Sequence, residues 1–112
     1  MKQADSILQK AYDLLKKLIA LIRHFPRDQK FLTGDRMQAL ASEILELLIA
    51  AYYSPRDQKK KKLDAVNIKL EQLRFYARLC FELGFYASPK YEELIKSLQE
   101  IGRMAGGWRK TL

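Results

Sequence analysis

Leu63, Val66, Leu70, Leu73, Ala77 and Cys80 follow one another at intervals of three and four residues. Only an α-helix brings such positions onto one stripe, because a strand repeats every two residues. The rhythm recurs in three other stretches. Ile7, Ala11, Leu14, Leu18, Leu21 and Phe25 keep it, with Leu8, Leu15, Ile19 and Ile22 widening the stripe. Met37, Leu40, Ala41, Ile44, Leu48 and Ala51 repeat it, as do Tyr91, Leu94, Leu98, Ile101, Ala105 and Trp108. The remaining composition agrees, since Leu, Lys, Glu, Ala and Gln are good helix formers and only three prolines interrupt them.

The prolines fall between the periodic stretches. The pentapeptide PRDQK occurs at 26–30 and again at 55–59, and a third proline follows Ser88. Proline suits the first helical turn, where its missing N–H is not needed, and an acid two residues on complements the helix dipole. Ser54-Pro55-Arg56-Asp57 has the spacing of a capping box, with Asp in place of the usual Glu. Ser88-Pro89 with Glu92 and Glu93 starts the last helix in a similar way. The second start is less defined. Either Pro26 sits in its first turn or Thr33-Gly34-Asp35 is the true beginning. Short connections make successive helices antiparallel. The expected architecture is all-α: one domain over residues 1–112, an up-down-up-down four-helix bundle.

A bundle monomer needs one apolar stripe per helix. The third helix has more. It also carries Ile68, Phe75, Leu79, Phe81 and Phe85, with Tyr76 and Tyr86 adding aromatic area. The second ends in Leu47, Ile49, Tyr52 and Tyr53. Contiguous apolar surface of that kind is a liability on a monomer, so self-association is expected, with Phe75 and Leu79 at the contact.

Twenty-one basic residues against 13 acidic give a formal net charge of +8. Like charges repel and do not help a fold, so the excess points to a polyanionic partner. Lys59, Lys60, Lys61 and Lys62 run together in the first turns of the third helix, where the dipole disfavours them. Arg74 and Arg78 are four apart and share a side, with few acids nearby, and Lys62 and Lys69 fall in a broad band of that side. The last helix adds Lys96, Arg103 and Lys110 at intervals of seven, with Arg109 beside them. Basic stripes on parallel rods suit a phosphate backbone, and binding of that kind weakens steeply with salt. Nothing resembles a sequence-reading element.

Chemistry is hard to place on this chain. His24 is the only histidine and Cys80 the only cysteine, so no disulfide within the chain or cysteine-based metal site can form. His24, at a helix end, is read as capping the last carbonyls. Helical ribonucleases of the HEPN class carry an arginine shortly before a histidine on one helix, but residues 18–22 read LIALI. Cys80 is expected to be a small buried hydrophobe. No metal cluster, phosphate-binding loop or cofactor site is present in the pattern, and no enzymatic activity is expected. No apolar run is long enough to span a membrane and no signal peptide is visible, so the expected location is cytoplasmic.

Gly102, Gly106 and Gly107 lie inside the last helical stretch and together cost about 3 kcal/mol against alanine. Gly102 and Gly106 share a face where another backbone could approach. Alternatively, Gly106 or Gly107 ends the helix and folds Trp108 back onto the core.

The stretch EIGRMAGGWRK, residues 100–110, resembles the closing motif of the accessory variability determinant (Avd) family of diversity-generating retroelements. FPRDQKFLTGDRM resembles that family's first inter-helix segment, and LIAAYYSPRDQKKKKLDAVNIKLEQLRFYARLCFEL its second and third helices, including the Arg74–Arg78 pair. KYEELIKSLQEIGRM is similar to its last helix, while the chain up to about residue 24 is generic. Ala105 stands where the family would have leucine. The resemblance implies a barrel-like homopentamer that binds a reverse transcriptase and its template RNA, and DNA as well, without catalysis, cofactor or small-molecule substrate. Arg74 and Arg78 match the basic pair implicated in that binding. Two alternatives stand beside it. One is the related bundle family encoded in intervening sequences of large-subunit ribosomal RNA genes; the other is a structural adaptor for an acidic protein.

Overall fold

The computed structural model describes the backbone of residues 2–112 and side chains from Ser6 on. Its elements are α1 (Lys2–Ile22), α2 (Arg27–Gln29), a π-helical segment (Lys30–Gly34), α3 (Asp35–Tyr53), α4 (Arg56–Glu82) and α5 (Ser88–Lys110). The described residues contain no strand. Both α3 and α5 pack on α1, and both pack on α4, which closes a ring of four. Cross-helix pairs show the directions. Lys10 and Lys17 of α1 meet Glu100 and Glu93 of α5, so the two helices run opposite ways. On α4 and α5, Asp64 meets Arg109 and Phe81 stacks on Tyr91, again in descending register. The bundle is 42 Å long, about the rise of α4's 27 residues.

The predicted seams become the core. All six seam residues of α3 and all six of α4 are buried. Leu94, Leu98, Ile101, Ala105 and Trp108 of α5 join them, while Tyr91 is half-buried. In α1, Ile7, Ala11, Leu14, Leu18 and Ile22 are buried, as is Phe25 just beyond it; Leu21 is half-buried. Cys80 lies at 0% exposure with its Sγ 3.7 Å from Met37 Sδ, as expected of a small core residue.

The ends of the helices depart from expectation in four places. The two candidate starts of the second helix prove to be one continuous path: Pro26 precedes α2, and the chain stays helical through the π segment into α3. Gly34 is the reason this path fits. A Cβ there would lie 2.7 Å from Ile22 Cγ2 and 3.2 Å from the Gln29 carbonyl oxygen, so only glycine lets the widened turn lie this close to the end of α1. The capping box at Ser54 does not form. The hydroxyl donates backwards to the Ala50 carbonyl at 2.6 Å, and α4 starts after Pro55 with no side-chain cap. The start of α5 likewise has Pro89 in its first turn and no side-chain cap.

His24 is the third departure. Its main-chain N–H donates to Leu21 O and that of Phe25 to Ile22 O, so the backbone itself closes the end of α1. The fourth is the C-terminal glycines. The helix does not stop at Gly106 or Gly107 but continues to Lys110, and Trp108 is buried simply by staying on the α5 seam. The glycine that does end a helix is Gly84, with φ of +82°. Phe85 N–H donates to Cys80 O and Gly84 N–H to Phe81 O, the Schellman pattern. This turn brings Phe85 against Phe25, ring centroids 5.2 Å apart, and buries Tyr86, whose hydroxyl donates to Ala77 O.

Candidate nucleic-acid interface

Positions 68, 75, 79 and 83 are separated by seven, four and four residues, so they share the face of α4 opposite its buried seam. Ile68, Phe75, Leu79 and Leu83 are 61%, 55%, 42% and 56% exposed on it. The surplus apolar surface expected on this helix is therefore real at these positions. Phe81, Phe85 and Tyr76 instead pack half-buried against the core, and Tyr86 is buried. On α3, Ile49 and Tyr53 are exposed, while Leu47 and Tyr52 pack against the core.

Cations flank this stripe on both sides, not on one. Lys69 faces α3, where its ammonium lies 2.9 Å from Glu43. Arg74 lies on the opposite flank, in a groove shared with Asn67, Leu70, Glu71 and, from α5, Leu98, Gln99 and Gly102. Lys69 and Arg74 thus do not form one band.

Acids are also closer than the sequence pattern suggested. Arg74 is held by Glu71, with Nε donating at 3.1 Å, and its guanidinium lies 5.0 Å from the Phe75 ring centroid. Arg78 donates to Glu82 at 2.9 Å. Arg109 of α5 donates to Asp64 of α4 at 2.7 Å. The bond from Arg74 holds the Glu71 carboxyl below its usual range, and the Asp64 carboxylate raises Arg109. These pairs are solvent-exposed, so each contributes little to the stability of the fold. They cancel the charge of Arg74, Arg78 and Arg109.

The remaining candidates differ. Lys60, Lys61, Lys110 and Arg103 are exposed and Lys62 half-buried, and among the described residues none of them meets a carboxylate at ion-pair distance. Lys59 has a different occupation. Its ammonium donates to the Ala51 and Tyr52 carbonyls at 2.9 and 2.8 Å, satisfying the open end of α3. The lysine run and the end of α5 are brought together by Arg56, whose Nε donates to Leu112 O at 2.9 Å, and by the Arg109–Asp64 pair. Neither contact had a sequence signal, since each joins residues 45 or more positions apart.

Gly102 and Gly106 are not pressed by any backbone of the same chain. A Cβ at Gly102 would reach only Leu70 Cδ1 at 3.8 Å, and one at Gly106 would meet nothing within 4 Å. The close approach expected there is thus not made within the bundle. Among the described residues no group of three or more His, Cys, Asp or Glu could hold a metal ion, and no helix is long and apolar enough to cross a membrane.

A family model described as bAvd-like matches residues 6–112. No curated protein matches the chain. Among solved structures, the chain is similar to a protein of unknown function from the S23 ribosomal protein family of Bacteroides thetaiotaomicron. The TM-score is 0.88 at 14% identity, covering 96% of this chain and 98% of that one. Identity that low makes it a likeness of fold.

Proposed function

The chain belongs to the bAvd-like family, and from that premise we propose that it is a non-catalytic accessory protein of a diversity-generating retroelement. It assembles as a basic homopentamer, binds the element's reverse transcriptase and template RNA, and so supports mutagenic cDNA synthesis and retrohoming. The observation that carries this reading is the family match across residues 6–112, which includes the Arg74–Arg78 pair and the glycine-tryptophan ending. The net charge of +8 and the cations left without acids support a polyanionic partner. The exposed stripe of α4 supports self-association.

Co-purification with a candidate reverse transcriptase, with and without nuclease, tests it. Capture that survives nuclease supports direct contact with the enzyme. Loss of capture after nuclease leaves RNA as the only bridge and overturns the polymerase half of the reading. RNA binding that is absent or indifferent to salt overturns the other half and favours an adaptor for acidic proteins. The S23-family neighbour supports the bundle fold and carries no function to this chain.

A further inference from the structure

We propose that α4 divides the surface between two tasks: RNA phosphates are taken by the cations at the lysine-rich end of the bundle, and Glu71 and Glu82 keep polyanions off the arginine flank. This rests on the reading of the chain as an RNA-binding accessory protein and says where on it the RNA lies.

The division follows from which cations already have a partner on the protein. At the end formed by residues 56–64 and 108–112, seven cations stand against two acids, Asp57 and Asp64. Asp64 is occupied by Arg109, and Lys59 by carbonyl oxygens. Lys60, Lys61 and Lys110 point to solvent with no carboxylate partner among the described residues, and Lys62 is half-buried beside them. A polyanion reaching this end displaces only loosely held counterions, which is the favourable step in phosphate binding. Midway along α4 the arrangement is reversed. Arg74 and Arg78 each carry an acid from their own helix, three or four residues away, and Lys69 carries Glu43. A phosphate arriving there must first separate a pair and then lie beside the released carboxylate. The cost of that repulsion rises as the strand brings more phosphates.

Anisotropy titrations of a fluorescein-labelled RNA hairpin over a salt series test the division, with folding checked by circular dichroism. Lys60→Gln, Lys61→Gln and Lys62→Gln together are expected to weaken binding at least about tenfold near 0.1 M salt and to flatten the salt slope by about 2. Arg74→Gln with Arg78→Gln changes affinity less than about twofold, whereas Glu71→Gln with Glu82→Gln tightens it, because freed arginines join the footprint. An arginine variant that loses as much as the lysine variant, or acid variants that bind no better, overturns the division while RNA binding itself stands. A wild-type protein that ignores the hairpin even at low salt overturns both this inference and the RNA half of the proposed function. The co-purification result with the polymerase stands apart from that outcome.

Discussion

A methyl group at Gly34 has nowhere to go. Ile22, the atom it meets first, is itself in the core and cannot swing aside freely, and the second neighbour is a backbone carbonyl. Gly34→Ala is therefore expected to lose about 1–3 kcal/mol in urea denaturation. At Gly106 the sign reverses. Nothing lies within 4 Å of an added Cβ, and alanine in a helix interior gains about 1 kcal/mol over glycine. Equal effects at the two sites would contradict the packing described for Gly34. Sequence alone did not single out the glycine that packs closely within the chain. It weighed Gly102 and Gly106 because they share a face, whereas the constraint on Gly34 comes from α1, across a turn that leaves no pattern. Tyr86 offers a second test. Burial raises its phenol above the usual 10, so the folded chain keeps a proton that the unfolded chain releases. Stability is then full below pH 10 and falls as pH rises further. Cys80, also raised by burial, adds to the fall from nearer pH 9. Tyr86→Phe should lose about 1 kcal/mol at neutral pH, for the bond to Ala77, and show a shallower alkaline decline in melting temperature.

Helices were legible because burial repeats every three or four residues, and a stripe of that period has one structural meaning. All six residues of the α4 seam, and all six of α3, reached the core. Helix ends were less legible. The Ser54 hydroxyl can accept from an N–H at the start of α4 or donate back to a carbonyl of α3, and the sequence motif for the first does not reveal the geometry of the second. The ion pairs between helices were hidden for a related reason. Glu43 with Lys69 and Asp64 with Arg109 join different helices, so their meeting depends on register and not on spacing along one chain. Lys59 shows what this means for the lysine run. Its ammonium closes two carbonyls of α3, whereas its three successors do not. Lys59→Met is expected to lower stability by about 1–3 kcal/mol, since two part-buried acceptors lose a charged donor, while RNA affinity changes less than about twofold. The reverse pattern, unaltered melting with weakened RNA binding, would make Lys59 part of the phosphate contact instead.

For the whole molecule the question is how chains carrying +8 each could associate at all. Repulsion between copies depends on where the charge sits more than on its sum. Around the exposed stripe of Ile68, Phe75 and Leu79, the nearest arginines and Lys69 are each balanced by a carboxylate. Lys60, Lys61 and Lys110, which meet no carboxylate at ion-pair distance among the described residues, lie at the end of the bundle. Two copies meeting along the middle of α4 thus bring together apolar side chains with locally neutral borders. Phe75→Glu with Leu79→Glu should abolish that contact by placing two charges per copy in it. The same substitutions leave the fold intact, because both side chains lie outside the core. Light scattering coupled to size exclusion is expected to show an assembly for the wild type and a monomer for the variant, with superimposable circular dichroism spectra. Lowering the salt distinguishes this interface from one governed by net charge. A contact with neutral borders keeps the assembly at low ionic strength, whereas dissociation there would mean that the +8 is felt across the interface. A wild-type chain that is monomeric at micromolar concentration removes the interface altogether, and the exposed stripe then needs a different partner.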